Sequence, residues 1–201
     1  MATYSKFGPR TESCELGPFN LRVATQADLP AVVDLVNRAY RGPASEATWS
    51  QMVPYLEGDR TSLTQIQEDI LSKPRGQLLV WTNPNAALLG CAWVEEEPDG
   101  AFYLGTLAIP PELQDAGLGR KLLAAVETWA KRRGARQIRI HVINIREPLI
   151  KWYLRRGYIA TGETQPFPYG DGRYGRPLRD DLSFVVLVKD LHDSWSGKTR
   201  D

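Results

Sequence analysis

Apolar positions in the first part of the chain recur mainly at helical spacing. The alternating stretch "FNLRVA" at 19–24 predicts a short strand ahead of the first helix. That helix is predicted for "TQADLPAVVDLVNRAYRG", where Pro30 suits the first turn and Gly42 ends the pattern. Two further helices are predicted for "ASEATWSQMVPYLEG" and "SLTQIQEDILSK", the former interrupted by Pro54.

The pattern then changes to the period of strands. Three extended runs, "QLLVWTN", "AALLGCAWVEEE" and "AFYLGTLAI", follow one another, and Asp99-Gly100 is a strong hairpin signal. A helix is predicted from Gly117 to Arg133, then a strand in "RQIRIHVIN", a short helix in "EPLIKWYLRRG", and last strands in "YIATGE" and "DLSFVVLVKDL". This order of elements predicts a mixed α/β fold.

The 201 residues suit one domain. We expect residues 1–18 to form a flexible N-terminal tail, residues 19–191 one domain, and residues 192–201 a flexible C-terminal tail. The stretch 164–181 is rich in proline, glycine and charge, and is predicted to be a long loop. Long loops in compact domains often carry function, so this loop is a candidate part of a site.

Composition excludes several classes of protein. The 25 basic and 24 acidic residues give a net charge of +1, which argues against a nucleic-acid binder. No apolar run approaches the length of a membrane span and no signal peptide is recognisable, so we expect a soluble, cytoplasmic protein without a membrane partner. Cys14, Cys91, His141 and His192 form no metal-ligand pattern, and no metal is expected.

A glycine-rich turn precedes the helix that is predicted from Gly117. The segment 114–119 reads "QDAGLG", and Arg120 and Lys121 follow it directly. Unpaired backbone N–H groups at a helix start, close approach at glycine and nearby positive charge together suit a pyrophosphate. An ordinary tight turn is the alternative. The P-loop pattern is absent, which argues against a P-loop nucleotide hydrolase. The glycine spacing does not match the dinucleotide-binding fingerprint, so dinucleotide binding is only weakly supported.

The region from residue 100 to residue 165 resembles the GNAT superfamily of acyl-CoA-dependent N-acyltransferases, and the resemblance extends more weakly over residues 19 to 190. A strand is followed by a prolyl turn and by Gln114-x-x-Gly117-x-Gly119, which matches the Q/R-x-x-G-x-G/A signature of that family. A later strand ends at Asn144, and "WYLRRGY" resembles the late Y-x-x-x-G-F/Y motif. The chain departs from the family where Asp115 and Ala116 replace a frequent Gly and Arg.

The resemblance implies a GNAT-like mixed, mostly antiparallel central sheet of about six or seven strands, flanked by helices, with a splay between the fourth and fifth strands. It also implies that acetyl-CoA is the acyl donor and binds in this splay. Backbone groups beside the pantetheine and the pyrophosphate, and one strand-end side chain, would hold it. These cofactor-binding candidates are Leu107, Ala108, Ile109, Gln114, Asp115, Ala116, Gly117, Leu118, Gly119, Arg120 and Asn144.

In such an enzyme a neutral amine attacks the thioester directly, without an acyl-enzyme. Tyr153 matches the general acid of the family, the alternative being a packing role beside Trp152. Several relatives have a catalytic glutamate near the position of Tyr103, but "AFYLGTLAI" contains no acid. The base therefore stays open between the cluster 95–97, acting through water, and His141, and each also has a purely structural reading.

The acceptor site is expected between the first helices and the late loop. Its candidates are Tyr40, Trp49, Glu57, Arg60 and the segment Phe167 to Tyr174. Arginines of the loop suit a carboxylate on the acceptor, and Asp171, Asp180 and Asp181 suit an ammonium.

The resemblance implies an N-acetyltransferase that acts on a primary amine of a small molecule, and homodimers are common in the family. Two alternatives remain besides dinucleotide binding. One is a peptide or protein N-acetyltransferase, which would need an open groove. The other is an inactive acetyl-CoA-binding regulatory module, to which the absence of the strand acid gives weight.

Overall fold

The computed structural model describes residues 14–16, 19–42 and 55–192, without the side chains of 14–16 and 114–116. The strands are Cys14–Leu16 (β1), Phe19–Val23 (β2), Leu56–Glu57 (β3), Gly76–Thr82 (β4), Leu88–Glu96 (β5), Ala101–Ala108 (β6), Gln137–Ile143 (β7), Ile159–Pro166 (β8), Arg176–Pro177 (β9) and Ser183–Asp190 (β10). The α-helices are Leu29–Arg41 (α1), Leu63–Ser72 (α2), Leu118–Arg132 (α3) and Glu147–Leu154 (α4). Short 3-10 helices span Gln26–Asp28 and Pro111–Ala116.

One sheet of eight strands, in the order β1-β2-β4-β5-β6-β7-β10-β8, organises these residues. Every neighbouring pair in it is antiparallel except β6 and β7, which run parallel and are joined by α3 as a crossover. The predicted mixed, mostly antiparallel sheet is confirmed. β1 lies within residues 1–18, which were expected to form a flexible tail, and is an additional strand at the edge of the sheet.

Helices cover both faces of the sheet. On one face, α1 and α2 bury residues such as Val32, Leu35 and Ile66 against Val80 and Trp93 of β4 and β5. On the other face, α3 and α4 pack against the central strands, and the core there is built around large apolar side chains. These include Leu79, Trp81, Leu104, Leu107, Leu122, Trp129, Ile138, Ile140 and Tyr153.

Two short strands correct the expectation for the acceptor region. β3 pairs with β9, with Leu56 opposite Pro177 and Glu57 opposite Arg176. The prediction of a helix over 44–58 is therefore wrong for residues 55–58, where the chain forms β3. Residues 44–54 of that predicted helix lie outside the described residues. The predicted loop 164–181 likewise contains the end of β8 and all of β9. Leu56 is buried with Phe167, Leu182 and Phe184 in a third core cluster, which brings the late segment over the α1 side of the sheet.

Cys91 lies in the middle of β5 with no exposed surface, packed in the cluster beneath α1. Burial raises the pKa of its thiol to about 12. The expectation of a buried core thiol is confirmed. Within the described ranges no helix is long and apolar enough to cross a membrane. In the same ranges no three His, Cys, Asp or Glu side chains are grouped as a metal site.

Candidate active site

The glycine-rich turn forms the start of α3, as predicted. The 3-10 helix Pro111–Ala116 runs into Gly117, whose φ of 72° lies in the left-handed region that favours glycine. Gly117 is the residue before the helix, and no side chain caps the helix start. The first N–H groups of α3 consequently have no intrahelical partner and no side-chain cap, which is the arrangement that suits an anion.

Arg156, which follows α4, lies near Arg120 of the first turn of α3, since the charge of Arg120 acts on it. Arg156 is stacked on Trp152, with its guanidinium carbon 3.5 Å from the ring centroid, and donates a hydrogen bond to the carbonyl of Trp152. Burial, then the charges of Arg155 and Arg120, lower its pKa. Its Nε is buried without a hydrogen-bond partner among the described residues. A negatively charged group placed here would satisfy that donor and relieve the repulsion.

The sheet splits between β6 and β7. Their parallel pairing begins at Ala101 opposite Gln137 and ends at Leu104 opposite Ile140, although both strands continue. β6 also has a bulge there, since Leu104 pairs with Val94 of β5 and Leu107 with Ala92, which leaves one extra residue on β6. The predicted splay is thus present, and Gly105 and Thr106 lie in its bulge.

The splay opens into a cleft of about 700 Å³, including its solvent-open part. Its walls are the bulge, the residues of β7 beyond the pairing, α4 and the end of α1. A second cavity of about 610 Å³ lies beneath α1 and α2. The two share Arg60, Tyr103, Gly105, Thr106 and Tyr174 as a common wall.

Tyr153 lines the cleft from α4 and is 5% exposed. Its ring packs edge-on against Trp152 and Tyr158 at centroid distances of 4.9 and 5.3 Å. Burial raises its pKa, so the phenol stays protonated at neutral pH. No described residue accepts a hydrogen bond from its hydroxyl. Tyr153 both packs and lines the cleft, so the two roles weighed from the sequence are compatible.

Leu107, Ala108 and Ile109 follow the bulge, and their side chains are buried. The carbonyl oxygen of Leu107 accepts a hydrogen bond of 3.2 Å from the Tyr40 hydroxyl. Burial raises the pKa of Tyr40, which keeps this donor protonated. Tyr40 thereby reaches from α1 to the strand segment that is predicted to lie beside the pantetheine.

Asn144 lies just beyond β7, as predicted, but its side chain has protein partners. Its Nδ2 donates to the carbonyl of Asp181 at 3.0 Å, and its Oδ1 accepts from the backbone N–H of Ser183 at 3.2 Å. These bonds fasten the late segment to the end of β7. A direct role of Asn144 in cofactor binding stays a prediction.

The three glutamates considered as bases lie outside both cavities. Glu97 is paired with Arg139. Glu95 accepts a hydrogen bond of 3.4 Å from the indole of Trp93 and lies 3.5 Å from Lys73. Glu96 is exposed. Their charges are therefore solvated or paired, as the structural reading of the cluster expected.

His141 does line the cleft, on the face opposite Ile140 and Val142. Its ring centroid is 5.0 Å from that of Tyr103 and 6.2 Å from that of Phe184. Burial, then the charge of Arg139, lower its pKa, so the imidazole is neutral at pH 7. A neutral imidazole in a cleft is chemically able to accept a proton.

The acceptor-side candidates separate into two groups. Tyr40, Arg60 and Tyr174 line the cleft, and Phe167 supports it from the third cluster. Glu57 instead pairs with Arg176 on the surface, and Trp49 lies outside the described residues.

The acidic residues of the late segment do not reach the cleft either. Asp171 accepts a hydrogen bond from the backbone N–H of Arg173, and Asp181 pairs with Arg179 at 2.5 Å. Asp180 is exposed and lines neither cavity. None of the three acids expected to hold an ammonium therefore lines either cavity.

Sequence reasoning missed Arg41, Arg146 and Asn37. Arg41 and Arg146 line the cleft, and Asn37 holds the backbone beside Arg60. No motif marks these residues. The sequence predicts that Asn37 and Arg41 lie in α1 and that Arg146 comes just before α4. Which way these side chains point depends on how the helices pack against the sheet.

Comparisons with known proteins agree with this geometry. The profile of the Acetyltransferase (GNAT) family matches residues 34–158, more than half of the chain. A mycothiol acetyltransferase of Saccharopolyspora erythraea is 30% identical over 131 residues, covering 65% of this chain and 40% of that protein. The chain thus spans less than half the length of this curated relative.

Solved structures resemble the fold at low sequence identity. The spermidine N-acetyltransferase chimera from Vibrio cholerae and hSSAT has a TM-score of 0.62 at 16% identity, over 87% of this chain and 96% of its own. The ribosomal-protein-S18-alanine N-acetyltransferase of Escherichia coli has a TM-score of 0.62 at 17% identity, over 89% and 97%. The profile match over more than half of the chain shows that the chain belongs to the Acetyltransferase (GNAT) family.

Proposed function

We propose that the protein, with residues 19–191 as its transferase domain, moves the acetyl group of acetyl-CoA to the primary amine of a small molecule by direct attack. The observation that carries the proposal is the cleft at the splay, which brings Tyr153 and His141 to one space. When bound there, acetyl-CoA supplies the activated acyl group. A cytoplasmic location and pairing of two copies remain predictions.

The start of α3 fits the pyrophosphate of the donor. Backbone N–H groups after Gly117 provide donors without intrahelical partners, and Arg120 and Arg156 provide positive charge. The buried Nε of Arg156 lacks a partner, which supports an anionic ligand at this place. The backbone of Leu107 and Ile109 would hold the pantetheine arm as an added strand.

Tyr153 is proposed as the acid that protonates the departing thiolate. Its raised pKa means that the proton is present over the whole neutral range. A thiol is a stronger acid than a buried phenol, so Tyr153 donates while negative charge develops on the sulfur and regains a proton from the amine nitrogen, which loses one as the amide forms. The absence of a described protein acceptor for its hydroxyl leaves that proton available.

His141 is proposed as the base that accepts a proton from the acceptor ammonium, directly or through water. It lines the same cleft as Tyr153, whereas Glu95, Glu96 and Glu97 do not. Its lowered pKa keeps it unprotonated at neutral pH, which a base requires. It also stands beside Tyr103, near whose position several members of the family have a glutamate.

The residues that cover the cleft favour a small acceptor over a peptide. Leu56, Phe167 and Tyr174 pack together on the α1 side of the sheet. Arg41 joins this cover to α1, since its guanidinium donates to the carbonyls of Gly58 and Tyr174 at 2.9 and 2.8 Å. A covered cleft suits a compact amine better than an extended chain.

The test measures thiol release from acetyl-CoA with small amines and short peptides, after subtraction of the signal of Cys14 and Cys91. We expect Tyr153→Phe to lower kcat by about 10²- to 10⁴-fold while the Kd for acetyl-CoA stays nearly constant. The matched control is Tyr158→Phe, because Tyr158 is also buried, but its hydroxyl donates to Glu127 outside the cleft.

Three outcomes separate the functions. Turnover with small amines that is lost only in Tyr153→Phe supports the proposal. Turnover with peptides alone favours the protein N-acetyltransferase. Acetyl-CoA binding without turnover of any amine favours the regulatory module.

A further inference from the structure

The described walls of the cleft are positively charged. Three arginines, Arg41, Arg60 and Arg146, line it, and no described aspartate or glutamate does. The second cavity adds Lys73 and Arg173 and one carboxylate, Asp69. That carboxylate is already bound, since it pairs with Arg173 and lies 3.8 Å from Lys73. The positive charge on the acceptor side is thus neutralised only in part.

Two of the three cleft arginines are poorly placed to bind a ligand, one because it is already hydrogen-bonded and the other because it is buried. Arg41 donates to three backbone carbonyls, those of Tyr40, Gly58 and Tyr174. Burial, then the charge of Arg60, lower its pKa to about 10. Arg146 is buried and stands at the start of α4. Neither guanidinium is therefore the first choice for a ligand.

The guanidinium of Arg60 is different. It lies 4.8 Å from the ring centroid of Tyr174 and 5.7 Å from that of Tyr40. Within the described part of the chain it forms no side-chain hydrogen bond and no ion pair. Its planar set of N–H donors matches a carboxylate, and stacking on aromatic rings leaves the edge of the plane available for such a partner.

The backbone under Arg60 is held in place. The Asn37 side chain accepts hydrogen bonds from the N–H groups of Arg60 and Thr61 at 2.8 and 3.0 Å. It also donates to the carbonyl of Thr61 at 2.9 Å. An arginine fixed at its backbone and between two rings loses less conformational entropy when it binds a ligand.

Arg60 also stands at a useful distance from the splay. It belongs to the wall between the two cavities, together with Gly105 and Thr106 of the β6 bulge. Tyr40 connects the two places, because its ring contacts Arg60 while its hydroxyl binds Leu107. An anion bound to Arg60 would therefore be separated from β6, the strand proposed to receive the thioester, by the side chain of Tyr40.

We infer that the acceptor is a small amine that carries a carboxylate, which Arg60 binds while the amine faces the splay. The inference deepens the proposed acetyl transfer and rests on it. Polycationic amines would be repelled by the same walls. The positive surroundings also favour the neutral form of the acceptor amine, which is the nucleophilic form.

The test uses amines that share a skeleton and differ in charge. Methionine and phenylalanine are compared with their amides, with the corresponding amines that lack the carboxylate, and with spermidine. Thiol release from acetyl-CoA gives kcat and KM for each. We expect the carboxylates to have the highest kcat/KM. Removing a hydrogen-bonded charge in Arg60→Gln should lower it by about 10- to 100-fold, mainly through KM.

Three controls accompany this variant. Arg60→Lys keeps the charge without the planar donor set, and should lose less than Arg60→Gln. Arg75→Gln removes one exposed positive charge outside both cavities, and should leave kcat/KM unchanged. The Kd for acetyl-CoA, measured by calorimetry, should be the same in all of them, because Arg60 is on the acceptor side.

The results distinguish failure of carboxylate binding by Arg60 from failure of the proposed acetyl transfer. Amides or spermidine acetylated as well as the carboxylates, or an Arg60→Gln effect equal for every amine, would overturn the inference and leave acetyl transfer intact. Thiol release from no amine at all, with acetyl-CoA still bound, would remove the proposed transfer together with the inference.

Discussion

Asn37 offers the sharpest test of how the acceptor side is built. It lies inside α1, and its side chain makes three hydrogen bonds with the backbone of Arg60 and Thr61. Thr61 is 9% exposed, so water cannot easily replace the two bonds to it. We expect the substitution Asn37→Ala to destabilise the protein through these lost partners.

The magnitude follows from the three bonds. Each of the two bonds to Thr61 is worth about 1–1.5 kcal/mol, and the bond to Arg60 about 0.5 kcal/mol, since its surroundings are partly wet. Alanine is a better helix former than asparagine by about 0.6 kcal/mol, which offsets part of the loss. The free energy of unfolding should therefore fall by about 2–3 kcal/mol, measured by urea denaturation at constant m.

Asn83→Ala is the matched control. The Asn83 side chain accepts hydrogen bonds of 3.0 and 2.9 Å from the backbone N–H groups of Asn85 and Ala87, but in an exposed turn. Water can take over both of these, so its loss should be below about 1 kcal/mol. If Asn37→Ala cost no more than Asn83→Ala, the reasoning that burial makes the Asn37 bonds strong would be refuted.

Two further predictions concern the donor and the base. Gly117→Ala and Gly100→Ala each force a side chain into the left-handed region, at φ of 72° and 81°, and should destabilise the protein by about 1–2 kcal/mol. Only Gly117→Ala should also raise the Kd for acetyl-CoA. Equal Kd values in the two variants would contradict pyrophosphate binding at the start of α3. Because His141 must be neutral to act, kcat at saturating acceptor should fall as pH drops through a pKa below about 6.5 and stay level above it. His141→Gln should abolish this acid limb, and a limb that persists would assign it to another group.

The elements that would form the proposed donor side were largely predictable from sequence. Glycine spacing predicts where α3 begins because backbone conformation depends on local residue type, and Gly117 is indeed left-handed. The resemblance to the GNAT family implied a parallel pair of strands at the splay, and β6 and β7 form that pair. Tyr153 was singled out by its match to a family motif in one short helix, with packing beside Trp152 as the alternative role.

The acceptor side was not predictable in the same way. β3 and β9 are two residues each, and their pairing depends on Glu57 meeting Arg176, 119 residues away in sequence. No local pattern encodes such a contact. The charge of the cleft likewise depends on which arginines point inward. Arg60 was an acceptor candidate from the sequence, but only the fold shows that it stacks on Tyr40 and Tyr174.

The burial of Cys91 gives the protein a built-in reporter of motion. Burial raises the pKa of this thiol to about 12, so it is almost wholly protonated at pH 8, and none of its surface is open to a reagent. Alkylation must therefore wait until α1 separates from β5. Once Cys14 is replaced by serine, the rate of labelling measures how often this face of the sheet opens, and bound acetyl-CoA can be compared with free protein without introducing a probe.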